Sequence, residues 1–220
     1  MRLDHIIVAV TDLEQAMADY GELGFSVFYG GQHAGGATHN ALICFADGSY
    51  IELIAPTDPA TPPQSSPYLG AGSGFAGFAL LTDDLAAVAM RLDAHGLAFS
   101  GPTAGGRERT DGISLQWETL FLQDSIAPFV ITDVTPRRLR VPDDPQKLTH
   151  ANHATGIGAV EVMTPDATLT PAQYTALLGQ PERVTLGSAE ALRYALGSAL
   201  LLLGTAPVIN DHAQPAPVRC

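Results

Sequence analysis

His5 and Glu52 are polar residues set inside apolar, β-branched runs, LDHIIVAV and YIELIA. A buried imidazole or carboxylate costs free energy unless it finds a partner. Imidazole with carboxylate is a donor pair suited to a divalent metal ion, whether Zn, Fe, Mn, Ni or Co. The plainer alternative is that the two pair with each other, or with backbone, inside a core. His39-Asn40 opens a third apolar run. Neighbouring side chains on a strand point to opposite faces, so only one of these two can face a cavity and orient a ligand; the other reading is a turn. Arg107 and Arg109 follow Gly105-Gly106 and precede Asp111-Gly112. A guanidinium fork matches a carboxylate. A surface pairing with Glu108 or Asp111 would also account for the arginines and would stabilise little. Trp117, the single tryptophan, alternates with Leu115 and Thr119 and reads as core or cavity wall, or as a stacking surface for a ligand.

The remaining candidates carry weaker signals. His150 and His153 lie in the loop THANHATG, where two histidines suit a metal or acid/base site, or simply solvent and capping. His33 sits in a glycine-rich stretch that would cover a cavity mouth. His95 follows a helical stripe, where a protonated imidazole complements the helix dipole. Cys44 reads as buried packing. The sequence has no phosphate loop, no G-x-G-x-x-G between strand and helix, no G-x-S-x-G elbow, no CxxC and no HExxH.

The elements that must position these residues repeat. Leu3–Val10 predicts a strand, Thr11-x-x-Glu14 a capping box, and Leu13, Met17 and Tyr20 one apolar helix face closed by Gly24. Strands follow over Phe25–Tyr29, Asn40–Phe45 and Tyr50–Ile54, the last two joined at Asp47-Gly48. After the Pro/Gly-rich stretch from Pro56 to Gly74, the order recurs: a strand over Phe75–Leu81, a helix from Leu85 and strands at Leu97–Ser100, Ile113–Leu120 and Phe129–Thr132. Setting Asp12-Leu13 on Asp84-Leu85 gives an offset of 72 residues, the mark of an old duplication. A third unit begins near Ile157, with a helix capped at Thr170 and two late strands between Leu186 and Leu203. The expected division is 1–56 and 75–134 for the paired units, 57–74 and 135–154 for their connections, 155–209 for a partial third unit, and 210–220 for a loose tail.

Composition bounds what such a chain can do. It has 220 residues, 11 Lys+Arg against 23 Asp+Glu, and a formal net charge of −12. That balance excludes a basic footprint for nucleic acid and suits anionic membrane surfaces poorly. Two cysteines, Cys44 and Cys220, fit a reducing compartment. The run Ile6–Val10 is too short for a secretory signal, and Tyr194–Leu203 is about half the roughly 20 residues of a bilayer span. The expectation is a soluble, cytoplasmic protein.

The strand–helix–strand–strand–strand order, with LDHIIVAVTDLEQAMADYGELGF, GGQHAGGATHNALICF, DGSYIELIAP, GRERTDGISLQWE and HATGIGAVEV, resembles the vicinal oxygen chelate superfamily of glyoxalase I and the extradiol dioxygenases, its glyoxalase-like branch above all. The resemblance covers about residues 3 to 165. It implies an α+β fold in which paired β-α-β-β-β modules form a curved, mostly antiparallel sheet around a cavity. It also implies that His5 and Glu52 bind a metal, with Glu52 doubling as a proton-transfer base. His39, Asn40, Arg107, Arg109 and Trp117 would then meet a small oxygenated ligand, with or without a carboxylate. The implied activity is that of a metal-assisted lyase, isomerase or dioxygenase; the rival is a non-catalytic binding protein with a lost metal site. Counting from the first module, the second-module ligand positions are Gly77 and, by aligning IELIAP with ITDVTP, Thr132. Modules of this kind often assemble in pairs, so a homodimer is among the expectations.

Overall fold

The structure, a computed structural model, describes residues 1–58, 60, 73–123, 128–164, 168–187, 189–205 and 218–219. Most of the connection between Pro56 and Gly74, and the tail over 210–217, lie outside these residues. The first unit is β1 (Arg2–Ala9), α1 (Leu13–Glu22), β2 (Phe28–His33), β3 (Thr38–Cys44) and β4 (Tyr50–Pro56). The second is β5 (Gly74–Leu81), α2 (Leu85–Ala94), β6 (Phe99–Glu108), β7 (Ser114–Leu122) and β8 (Phe129–Asp133). Their eight strands close into a barrel in the order β1-β4-β3-β2-β6-β7-β8-β5. β1 with β4 and β5 with β8 run parallel, and the other neighbours antiparallel. The α+β fold of paired modules around a cavity is therefore present.

The duplication is visible in the caps. Asp12 Oδ1 accepts from Gln15 N at 3.0 Å and Asp84 Oδ1 from Ala87 N at 2.8 Å. Asp12, rather than Thr11, is the cap of α1, so the capping-box reading is displaced by one residue. Gly24 follows α1 at φ +85°, where a side chain would be strained.

Two strands run through glycines that the sequence pattern assigns to loops. β2 continues across Gly30 and Gly31 to His33, and β6 across Gly105 and Gly106 to Glu108. The glycines serve close approach. A Cβ on Gly30 would lie 2.1 Å from Arg107 Nη1 and 2.3 Å from Asn40 Oδ1, and one on Gly31 would lie 2.0 Å from the Glu108 carbonyl. Backbone without side chains thus lets Arg107 and Asn40 cross the barrel interior beside β2.

The linker after β8 folds into α3 (Arg137–Arg140) and α4 (Pro145–Leu148). The third unit has β9 (Ala159–Thr164), α5 (Leu169–Leu178), β10 (Glu182–Leu186), β11 (Ala189–Leu196) and β12 (Ala199–Thr205), one strand more than the sequence suggests. β12 pairs parallel with β9, as β4 does with β1. The cap of α5 is Thr168; Thr170 is buried in the first turn, its hydroxyl 3.1 Å from that of Thr164. Leu85, Val88 and Leu92 of α2 and Tyr174 and Leu177 of α5 share one core with Leu120, Val130, Val160 and Leu201. The sheet of the third unit and the barrel are therefore joined through apolar packing. Among the described residues, no helix is long and apolar enough to cross a membrane.

His150 belongs to this framework. Its Nδ1 accepts from Ser26 N at 3.0 Å, which leaves Nε2–H to donate to the Cys44 carbonyl at 3.1 Å. His153, beside it, sits exposed in the turn at φ 61°. Burial pushes the Cys44 thiol up to about 12, which makes it inert to alkylation. His150→Ala should lower stability by about 2 kcal/mol in urea unfolding, because it leaves a buried N–H and carbonyl without partners. A loss below about 0.5 kcal/mol would show that the His150 bridge is dispensable.

Candidate functional site

The barrel encloses a cavity of about 290 Å³, at the lower end of the roughly 300–1,000 Å³ typical of small-molecule sites. Strand alternation decides what enters it. From β1 come His5 and Ile7, from β4 Tyr50, Glu52 and Ile54, from β3 Asn40 and from β2 His33. Arg107 enters from β6, Trp117, Thr119 and Phe121 from β7, and Phe129 and Ile131 from β8.

Glu52 is the meeting point. Asn40 Nδ2 donates to its Oε1 at 2.6 Å. His33 Nε2 stands 3.4 Å from that same oxygen, and His5 Nε2 stands 3.3 Å from Oε2. Burial resists ionisation of Glu52, but the two imidazoles outweigh it and hold the carboxyl well below its ordinary value. His5 is fixed from behind: its Nδ1 bonds Asp4 Oδ2 at 2.7 Å and its ring stacks on Tyr50 at 4.5 Å. Burial alone would discourage the imidazolium, yet the bonds to Asp4 and Glu52 raise its pKa. The Nε2 atom of His5 has no well-aligned hydrogen bond despite its nearness to Glu52.

Beneath His5 lies an ion cluster that sequence reasoning does not find. Asp4 is fully buried and is bound by Arg140 Nη1 at 2.8 Å and by Arg137 Nη1 at 2.5 Å. Arg140 also binds Asp133 through Nε at 2.6 Å and the Tyr50 hydroxyl at 2.7 Å. Burial works against the Asp4 carboxylate, but Arg140 and His5 hold its pKa well below the ordinary value. Both arginines come from the linker helix α3, some 133 and 136 positions from their partner. No local pattern signals such a contact.

Arg107 is different. It is 5 % exposed, with Nη1 donating to Asn40 Oδ1 at 2.9 Å, Nη2 to the Arg140 carbonyl at 3.4 Å, and Nε unpartnered. Burial draws its pKa down, whereas Arg140 overcomes the same burial through Tyr50, Asp4 and Asp133. Among the described residues, Arg107 is thus a buried guanidinium whose hydrogen-bond partners are neutral. It lies inside the barrel on a strand, not on a rim loop. Arg109 is outside the cavity lining; it binds Asp111 at 2.7 Å and the Leu139 carbonyl at 3.0 Å. His39 faces away from the cavity, its ring 5.9 Å from that of Tyr29, while its neighbour Asn40 faces in. Trp117 forms wall, edge-on to His33 at 6.2 Å.

The superfamily's four-donor metal set does not fit these residues. Ile7 pairs with Glu52 as Ala79, 72 residues on from Ile7, pairs with Phe129. The counterpart of Glu52 is therefore Phe129, and Thr132 is corrected: the inward side of β8 holds Phe129 and Ile131, and Asp133 rather than Thr132 shares it. The counterpart of His5 remains Gly77, and neither Gly77 nor Phe129 offers a donor. The two imidazoles approach opposite oxygens of Glu52 instead of a common point. Among the described residues, no three His, Cys, Asp or Glu side chains are grouped to hold a metal ion.

Paired β-α-β-β-β units closing on a cavity define a vicinal oxygen chelate fold. The chain belongs to the glyoxalase-like domain family, whose model matches residues 3–178. A hypothetical protein from Staphylococcus aureus superposes with a TM-score of 0.72 at 18% identity, over 93% of this chain and 86% of that one. A mutant of 4-hydroxymandelate synthase from Streptomyces coelicolor gives 0.55 at 16% identity, over 97% and 65%. Glyoxalase I from Zea mays gives 0.47 at 14% identity, over 93% and 68%. No curated protein matches the chain.

The Asp4 cluster has a pH signature. A carboxyl whose folded pKa lies below its unfolded value near 3.8 stabilises fully above that value, and the contribution is lost as pH falls through the folded pKa. Asp4→Asn should therefore cost about 3 kcal/mol at pH 7, since it leaves the buried Arg140 short of a partner. The gap to wild type should narrow in acid. Urea unfolding across pH checks this, and a gap that persists unchanged in acid would contradict it.

Proposed function

We propose that the protein is an enzyme, an isomerase or lyase, that moves a proton on a small oxygenated carboxylate held in the barrel. One observation carries the reading: a buried Arg107, with no salt bridge among the described residues, shares a cavity with a carboxylate, Glu52, flanked by two imidazoles. A buried cation without a salt bridge is costly, and a bound carboxylate would neutralise the guanidinium. In an acidic chain the site itself favours an anion: Arg107, Arg137, Arg140 and a protonated His5 outnumber Asp4, Glu52 and Asp133 by one charge.

Glu52 then faces the substrate as an ionised base. It takes a proton from the carbon beside a carbonyl, and the electron pair moves onto the carbonyl oxygen. A carboxylate held at so low a pKa is a weak base. The step therefore depends on stabilising the new oxyanion, which the N–H of the His5 imidazolium is charged to do. Return of the proton to the other face or a neighbouring atom gives an isomer; loss of a leaving group gives a lyase. Asp4, bound to Nδ1 of His5, keeps the imidazole oriented, and Asn40 orients Glu52. Zn, Fe, Mn, Ni or Co, which the superfamily resemblance brings to His5 and Glu52, has no complete donor set among the described residues. The cysteine usage supports a reducing, cytoplasmic setting.

Proton abstraction exchanges hydrogen with solvent. In D₂O, wild-type protein should exchange the C–H beside the carbonyl in at least one member of a panel of small 2-oxo and 3-oxo carboxylates, followed by NMR. Glu52→Gln should slow this by about 10²–10⁴-fold. Dialysis against a chelator should leave the rate unchanged, and metal analysis of protein purified without chelator should find well under one ion per chain, as with His5→Ala. Carboxylates that bind but never exchange would overturn the enzyme in favour of a sequestering protein.

A further inference from the structure

The barrel interior divides into two arcs. Going round from β1 through β4, β3 and β2 to β6, the inward side chains include His5, Glu52, Asn40, His33 and Arg107. The other arc, β7 and β8, presents Trp117, Phe121, Phe129 and Ile131, with Thr119 its one polar side chain among the described residues. Phe121 and Phe129 stack at 5.1 Å with 24° between their planes, and Phe129 meets the His5 ring edge-on at 5.7 Å. The next strand, β5, places only Gly77 and Ala79 opposite Ile7 and His5, so it takes up little of the interior. The duplicated second unit therefore puts an aromatic wall where the first puts its carboxylate: Phe129 stands at the position of Glu52.

We infer that the cavity selects a carboxylate bearing an aryl group, with the carboxylate on Arg107 and the ring against Trp117, Phe121 and Phe129. The inference rests on the Arg107 anchor proposed above and adds the identity of the rest of the ligand. Two features favour a ring over an alkyl chain. Aromatic side chains pair with a ring by offset or edge-on contact beyond the gain from burial alone. Phe121 and Phe129 already stack in near-parallel planes, and a planar group adds to such a stack with less loss of freedom than a flexible chain.

The test uses whole protein and defined probes. Phenylacetate, acetate and phenylacetamide are titrated by calorimetry, with the fluorescence of Trp117, the chain's one tryptophan, reporting the site. Phenylacetate should bind at least about tenfold tighter than either of the others. Phe129→Leu and, separately, Phe121→Leu keep the volume apolar and should reduce the phenylacetate-to-acetate ratio. Arg107→Gln should instead remove the advantage of phenylacetate over phenylacetamide. Equal affinity for phenylacetate and acetate, both lost in Arg107→Gln, would overturn the aryl inference and leave the anion anchor standing. Equal affinity for phenylacetate and phenylacetamide would overturn the anchor itself. No binding of phenylacetate, or binding that leaves Trp117 fluorescence unchanged, would overturn the aryl inference too.

Discussion

The site depends on one buried carboxylate. Asp4 is removed from water in the first strand, and its ionised form survives because Arg137, Arg140 and His5 converge on it. Remove that charge and the buried Arg140 and half-buried Arg137 lose a partner, α3 loses an anchor under the barrel, and His5 loses the acceptor that fixes its ring. The His5 imidazolium in turn helps keep Glu52 ionised. A chain of alternating charges therefore runs from a linker helix through the barrel wall to the cavity. Such a chain is costly to assemble and is justified by specificity more than stability.

The duplication explains why the two halves of the cavity differ. The helix caps and first strands keep a 72-residue spacing. The inward positions have diverged: His5 against Gly77, Glu52 against Phe129. One copy retained polar chemistry, and the other became a wall. Sheet closure between β2 and β6 is slight, two residue pairs at Gln32–Glu108 and His33–Arg107. That seam nonetheless brings His33 and Arg107 from different copies beside each other.

Much of this is legible in the sequence. Short apolar, β-branched runs locate β1, β3, β4 and β5, turn residues locate the β3–β4 hairpin, and polar interruptions single out His5 and Glu52. The two glycine pairs misled because glycine usually marks a loop; here it makes room for Arg107 and Asn40, so β2 and β6 are longer than propensity suggests. Thr132 was a poor counterpart for Glu52 because register follows strand pairing, and the second unit is three residues shorter than the sequence alignment supposes on that leg. Asp4 and Arg140 were out of reach altogether: 136 residues separate them, and only the closed barrel brings them together. His33 was visible as a loop residue but not as a neighbour of Glu52.

The central claim is that the Asp4–His5–Glu52 chain is charged as described. The most direct measurement is a pH titration of the His5 imidazole by ¹⁵N NMR. Its midpoint should lie above the ordinary histidine value of 6.5, with both ring nitrogens protonated below it, and should fall when Asp4 is replaced by asparagine. A midpoint at or below 6.5, unmoved by that substitution, would contradict it.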